Sequence, residues 1–421
     1  MKGGENQMKL SFKFKPKYND KTLAIIEELS FHTTKLYNTA NYECRETEFK
    51  PYVKTNEMYA TNWHAHFLHS HTYQQCLRVL EKNWKSYFAS IKDYKKNPSK
   101  YKGMPQKPKF KNNKNKNEII FTNLAIRVKE NTLMLSLSKS MQEKFRVKSL
   151  NFNLPEKIKS LVNLESIQKI KINWDSVQKE WYLIVIYNRA EQKLTLGTNI
   201  MSIDLGLDNL ATISFKDAKE TYIINGKPLK SRNSYLNKEI ARLQSVRMKQ
   251  IGSTKFKDTN IISKLRQERA KYINDYLHKA SRQIINLALK HGVFEIVIGD
   301  IKDIKQNCKI KSFVQIPVQK LVELIEYKAE LLGISVVKIK ENYTSGVSAI
   351  DLEEISKEFY NKSRRVNRGM FVTNTGIKIN ADVNGSLNIL RKHLKDECIP
   401  KLIQSVRDNG LVNSPVRIRV A

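Results

Sequence analysis

Two aspartates stand where an acid is hard to explain as surface. Asp204 lies in MSIDLGLDNLAT, charged inside an otherwise apolar strand, and Asp382 lies in INADVNGSLNI, at the front of a helix. A lone buried carboxylate is costly unless it binds a metal or a partner. Each also has an ordinary explanation: turn chemistry for an Asp leaving a strand, and an N-cap for an Asp before an apolar helix. Together they suit another chemistry. Clustered acids can hold two divalent ions about 4 Å apart and hydrolyse a phosphodiester, one ion activating water and the other stabilising the leaving oxygen.

Such acids need a frame. After residue 196 the pattern is α/β: IMSIDLGL and NLATISF form a hairpin around Asp208, and ETYIING adds a third strand. Two long charged helices follow over 229–251 and 258–291, then FEIVIGD as a fourth strand, a helix over 317–333, SVVKIKE as a fifth strand and a last helix over 382–395. This βββ-α-β-α-β-α order is that of an α/β RNase H-like domain, three antiparallel strands followed by helical crossovers. Its acids come from the first strand, the end of the fourth strand and the start of the last helix. Asp204 and Asp382 fill the first and third places.

Upstream, LSFKFKP (10–16) alternates as a half-exposed strand, and helical spacing covers 20–47 and about 72–91. Residues 92–118 carry ten lysines against two acids, with Pro98, Pro105 and Pro108 between them, and read as an extended basic linker. Lys107, Lys109 and Lys111 suit phosphates there, and Tyr101 and Phe110 suit stacking on bases. From 118 to 195 strands dominate, with hairpin turns at Glu130–Asn131 and near Asp175–Ser176. Together with strand 10–16 they would close a small β-barrel of the oligonucleotide-binding kind, into which the helical block is inserted.

Lys+Arg is 75 against Asp+Glu of 41, a net charge of +34, while 40% hydrophobic residues exclude a disordered chain. So large an excess repels itself unless a polyanion shares the particle, and nucleic acid is the expected partner over an acidic membrane surface. No run of about 18 apolar residues exists, and MKGGENQMKLSFKFK is too polar for a signal peptide; the expectation is a soluble, intracellular, cytoplasmic protein without a membrane partner. Cys44, Cys76, Cys308 and Cys398 form no CxxC pair, so neither a disulfide framework nor a zinc ribbon is expected. In WHAHFLHSH, His64, His66, His69 and His71 would point in different directions on a helix, which favours packing or RNA contact over a metal site.

MSIDLGLDNLATIS, the later KENYTS and INADVNGSLNILRK resemble the RuvC nuclease blocks of the TnpB family. These are RNA-guided nucleases encoded by insertion-sequence transposons and related to compact type V CRISPR effectors. The resemblance implies a wedge-like barrel over 1–18 and 105–195, a helical recognition lobe with basic linker over 19–104, and a RuvC domain over 196–342 and 381–396. It further implies a target-nucleic-acid-binding insertion over 343–380 and a C-terminal tail over 397–421. A guide RNA, target double-stranded DNA and two Mg²⁺ ions would be its partners and cofactor, with one protein copy per guide and work on nucleoid DNA. A guided DNA-binding protein that no longer cuts, acting as roadblock or repressor, and an unguided recombinase or resolvase are the alternatives.

Two departures from the family pattern carry information. The second block usually ends a strand with Glu, as in IxxEDL, but here IVIGDIKDIKQN puts Gly299 in that slot. Asp300 could serve, although strand alternation would point it away from the site. The site could also be inactive. The third reading is Glu341 at the end of the fifth strand, since adjacent strands lie about 4.8 Å apart, roughly the reach of a Glu side chain. Some family members pair VIG-type second blocks with EENYTS- or EESYTS-type loops, and Asp204, Glu341 and Asp382 are the implied catalytic and Mg²⁺-binding set. The usual zinc-binding cysteine slot holds Val347, so the insertion is expected to be zinc-free, with Tyr343, Thr344, Ser345, Arg364, Arg365 and Arg368 for nucleic acid. Lys305, Gln306, Lys309 and Lys311, just after the fourth strand, would guide substrate.

Overall fold

The structure, a computed structural model, describes residues 7–112, 116–156, 158, 164–190, 197–300, 316–367, 369–410 and 414–420. The chain divides into two units, residues 1–190 and 191–421.

In the first unit, β1 (Gln7–Phe14) is followed by α1 (Asp20–Glu46), α2 (Tyr52–Tyr59), α3 (Trp63–His66) and α4 (Ser70–Lys96). The predicted start of α1 is real: Asn19 is its N-cap, accepting from the Thr22 amide at 2.8 Å. Trp84 of α4 is buried against α1 and donates its indole N–H to Asn41 at 3.0 Å. The strands β2 (Ile119–Thr122), β3 (Ile126–Lys129), β4 (Thr132–Ser136), β5 (Ser149–Asn153), β6 (Ile167–Asp175) and β7 (Glu180–Ala190) follow, with α5 (Lys139–Phe145) before β5. They form two sheets, β1-β7-β6-β2 and β3-β4-β5, over one core, and no ladder joins the sheets among the described residues. The small β-barrel expected from sequence is not closed by these ladders among the described residues. The unforeseen strand β5 takes the free edge of β4, aligning buried Leu150 and Phe152 with Leu135 and Leu133.

The basic stretch is not a loose linker. Residues 105–112 lack regular structure, yet α1 pins them: Asn38 donates to the Lys111 carbonyl at 2.7 Å, and Asn41 and Arg45 donate to the Pro108 carbonyl at 3.0 and 2.9 Å. Asn38, Asn41 and Arg45 are spaced by three and four residues, so one helical face offers all three donors. The histidine run is broken between elements. His64 in α3 lies 3.0 Å, Nδ1 to Nδ1, from buried His32 of α1, while His69 caps α4.

In the second unit, β8 (Asn199–Leu205), β9 (Asn209–Phe215) and β10 (Tyr222–Asn225) lead to the paired helices α6 (Lys227–Ile251) and α7 (Asn260–Lys290). Then come β11 (Val293–Asp300), α8 (Val318–Glu330), β12 (Ser335–Lys340), the hairpin β13 (Met370–Val372) and β14 (Lys378–Asn380), α9 (Ala381–Leu394), α10 (Lys401–Asn409) and β15 (Val416–Ile418). The sheet order is β12-β11-β8-β9-β10-β15, with β11 parallel to both β8 and β12. The βββ-α-β-α-β-α frame is present, and β15 adds an unpredicted parallel strand beyond β10.

Alternation along the strands decides what faces α9. Met201, Ile203, Leu205, Ile296 and Ile298 pack into the main core, while Ile200 and Val297 pack with Ile389 and Leu390 of α9. Ser202, Asp204 and Gly299 share the parity of the second set, so they lie on the α9 face. Helix α9 also grips the insertion through one polar face. Asn384 accepts from the Ala349 amide and donates to the Val347 carbonyl, Asn388 donates to the Thr344 and Val347 carbonyls, and buried Arg391 donates to the Ser348 and Glu353 carbonyls. Val347 itself is a core residue. No helix among the described residues is long and apolar enough to cross a membrane. Arg391→Ala leaves the Glu353 carbonyl and Asp396 without their Arg391 donor and should destabilise the protein by about 3 kcal/mol in urea denaturation.

Candidate metal centre

Asp204 lies near the end of β8, opposite Thr212 on β9. Helix α9 passes so close that a Cβ on Gly385 would stand 2.6 Å from Asp204 Oδ2. Ser386 seals the same approach: its carbonyl accepts from Ser202 Oγ at 2.7 Å, and its hydroxyl meets that of Ser214 at 2.5 Å. Loss of water pushes the Asp204 carboxyl well above the usual carboxylate range, and the nearby Glu341 and Asp382 charges push the same way against Arg365.

Gly299 pairs with Ile339 of β12, and two residues beyond Ile339 stands Glu341. An ideal Cβ on Gly299 would fall 2.5 Å from Glu341 Cδ and 2.6 Å from Cγ, and closer still to Oε1. The Glu341 side chain thus fills the space that a side chain at 299 would need. Its Oε1 is buried without a hydrogen-bond partner. Burial, then the Asp300 charge, raises the Glu341 carboxyl to about 7. Asp300 closes β11 with the parity of Ile296 and Ile298, opposite to that of Gly299.

Asp382 is in the first turn of α9 but is not its cap. Asn380 is, accepting from the Asp382 and Val383 amides at 3.0 and 3.2 Å. The Asp382 carboxylate is left to other partners: Oδ2 accepts from Asn209 at 2.6 Å, and Oδ1 from Arg365 at 2.9 Å. Among the described residues no three His, Cys, Asp or Glu are grouped to hold a metal ion. Asp204 and Glu341 share two features: burial raises both carboxyls, and the Glu341 Oε1 is buried without a partner in space that a Cβ at 299 would need.

The other expected residues separate. Tyr343 is partly exposed at positive φ, edge-on to Tyr360, and Ser345 is exposed. Thr344 is buried, and its hydroxyl donates to the Glu341 carbonyl at 2.9 Å, so it holds the acid's backbone instead of meeting solvent. Arg364 closes a two-oxygen ion pair with Glu353 at 2.7 and 2.6 Å inside the insertion. In the first unit, the Tyr101 hydroxyl donates to Asp93 at 2.7 Å, Lys107 donates to the Arg45 carbonyl, Lys111 lies over the Tyr37 ring and Lys109 is exposed. Lys305, Gln306, Lys309, Lys311 and Arg368 lie outside the described residues. Sequence reasoning missed Asn209 and Gly385. Their signals were present in LDNLAT and DVNGSL, beside the acids themselves.

The fold is that of the RuvC-type, RNase H-like nucleases with additional lobes. The solved structure of a Cas12f1–sgRNA–target DNA complex superposes with a TM-score of 0.58, at 13% identity, over 91% of this chain and 98% of that one. Residues 182–305 match the OrfB_IS605 family, described as a probable transposase, and residues 319–389 match the Cas12f1-like TNB domain. A TnpB-like protein, ORF457, of Acidianus two-tailed virus is 25% identical over 89% of this chain and 84% of its own. The CRISPR-associated endodeoxyribonuclease Cas12f1 of Sulfoacidibacillus thermotolerans is 27% identical, and the match spans about half of each chain, 51%. The chain is thus a relative of the TnpB-like proteins and of the compact type V CRISPR effectors.

The raised carboxyls give a pH signature. A carboxyl raised from 4.5 to about 7 in the fold stabilises the folded state below about pH 4.5, and that contribution is lost as pH climbs to about 7. Glu341→Gln removes the titration. In EDTA it should match the parent protein near pH 4.5 and exceed it by about 3 kcal/mol at pH 8, measured by urea denaturation.

Proposed function

We propose that this protein is an RNA-guided DNA endonuclease of the TnpB kind. It binds a structured guide RNA, reads a short flanking motif in double-stranded DNA and cleaves the target in its RuvC domain. Pairing between guide and target carries the sequence specificity. The charge of +34 is what a chain wrapped around RNA and DNA backbones needs. One protein copy serves each guide, inside the cell. The observation behind the cutting step is the Glu341 carboxyl filling the space beside Gly299, on the face that carries Asp204.

Asp204, Glu341 and Asp382 are the residues that would hold the divalent ions, and all-oxygen ligands suit Mg²⁺. Bound there, the ions supply an activated water and stabilise the leaving oxygen. The chain's own groups prepare the place. Gly299 leaves room for Glu341, Thr344 holds the Glu341 backbone, and Gly385 lets α9 bring Asp382 toward β8. Asn209 orients one Asp382 oxygen, while Arg365 keeps the other until that ion pair opens. The closed Arg365–Asp382 pair, and the lack of three grouped ligating acids among the described residues, favour a second reading, a guided DNA-binding protein that does not cut.

Glu341→Ala should lower Mg²⁺-dependent cleavage by about a thousandfold, the several kcal/mol that metal stabilisation supplies, while RNA still copurifies. Asp300→Ala should keep activity within a few-fold. Full cleavage by the first variant, or loss only in the second, defeats the assignment of Glu341. Sequencing the copurified RNA tests guidance itself: a defined scaffold followed by variable sequence is expected, and its absence sinks the guided reading.

A further inference from the structure

The strand β15 has no place in the five-stranded frame, yet it reaches the candidate centre. It lies parallel to β10, pairing Arg417 with Ile223, and the Val416 amide donates to the Thr221 carbonyl at 2.9 Å. Ile418 packs against the main core. This anchoring sends Arg417 outward, where its guanidinium donates to Asn209 Oδ1 at 3.2 Å. The same Asn209 amide donates from Nδ2 to Asp382 at 2.6 Å. Arg417 therefore fixes which end of the Asn209 amide faces the acid.

Beside this relay lies a cavity of about 320 Å³. Its walls come from three places in the chain: Ser414 and Arg417 of the C-terminal segment, Gly369 and Met370 of β13 and its approach, and Lys378 and Asn380 of β14. Among the described residues no acid lines it, and two cations do. Lys378 is exposed and has no carboxylate partner among the described residues. Asn380 is the N-cap of α9, two residues before Asp382, so the cavity and the acid share one short turn. Met370 gives it an apolar side, 36% exposed. Two cations for phosphate oxygens and a soft apolar wall suit one nucleotide of a single strand. The volume is at the small end of ligand sites, too small for a base pair with both backbones.

We propose that the cavity between β15 and the β13–β14 hairpin seats the nucleotide next to the scissile phosphate of a DNA single strand, held by Lys378 and Arg417. The inference rests on the nuclease reading for the word scissile, but strand binding in the cavity stands without it. Arg417 then has two duties, gripping the neighbouring phosphate and positioning Asp382 through Asn209.

The test uses the full chain as purified with its RNA, in Ca²⁺, with Met370→benzoylphenylalanine as a photocrosslinker and end-labelled oligodeoxythymidylate as probe. A crosslink to the DNA is expected. Its yield should fall at least about fivefold in Lys378→Ala/Arg417→Gln, the loss of two exposed cation–phosphate contacts. Lys378→Arg should retain the yield, and Lys401→Ala, an exposed cation outside the cavity, should leave it unchanged. No crosslink, a crosslink to the copurified RNA instead, or a yield indifferent to the double variant overturns the proposal. A crosslink that behaves as expected in a protein that never cleaves DNA in Mg²⁺ upholds the cavity and defeats the nuclease reading.

Discussion

Helix α9 comes close against the first strand of its sheet. At position 385 there is no room for a Cβ, because Asp204 Oδ2 would lie 2.6 Å from it. The next residue, Ser386, bonds to Ser202 and Ser214 on the two strands beneath. The approach has two consequences. It strips water from Asp204, and it sets the first turn of α9, with Asp382, over the same end of the sheet. Negative groups crowded in this way raise one another's cost of ionisation, and only a proton or a cation relieves it. The seam of Asn384, Asn388 and Arg391 extends the same constraint into the insertion, so the segment that follows Glu341 is held by the helix that bears Asp382.

The glycine at 299 belongs to this geometry. A glutamate at that position would start from β11; here the acid starts from β12, and its side chain crosses to the place above residue 299. Neither residue makes sense alone. A larger side chain at 299 would expel Glu341, and without Glu341 the glycine would leave a gap. Around the third acid, Asn209 and Arg365 supply three elements' worth of coupling: β9, the insertion and α9 meet at one carboxylate. Arg417 adds a fourth through Asn209, which ties the end of the chain to the same group.

Much of this was legible in the residues. The strand order of the second unit follows from alternation and from helix-length charged segments between apolar runs, and the structure has those elements within a few residues of the expected ends. Asp204 and Asp382 stood out by type and context. Less legible was the first unit, where local pattern announces strands without saying which strand pairs with which. The β3–β4 hairpin needed β5, a five-residue segment with only Leu150 and Phe152 as its signal. The lysine-rich stretch looked like a linker because composition carries no information about the carbonyls that Asn38, Asn41 and Arg45 bind.

What the amino-acid sequence determined by itself is periodic and local: which segments are strands or helices, which face of each is apolar, and that an acid sits out of place in β8. The tertiary structure decided everything that depends on two distant segments meeting. With Asn380 capping α9 locally, it brought Asn209 and Arg365 to the free Asp382 carboxylate. It brought Glu341 over Gly299, and it carried β15 to the far edge of the sheet. The physical reason is the range of the signals. Alternation and helical spacing act over a few residues, whereas the filling of one volume by a side chain from another strand is written only in three dimensions.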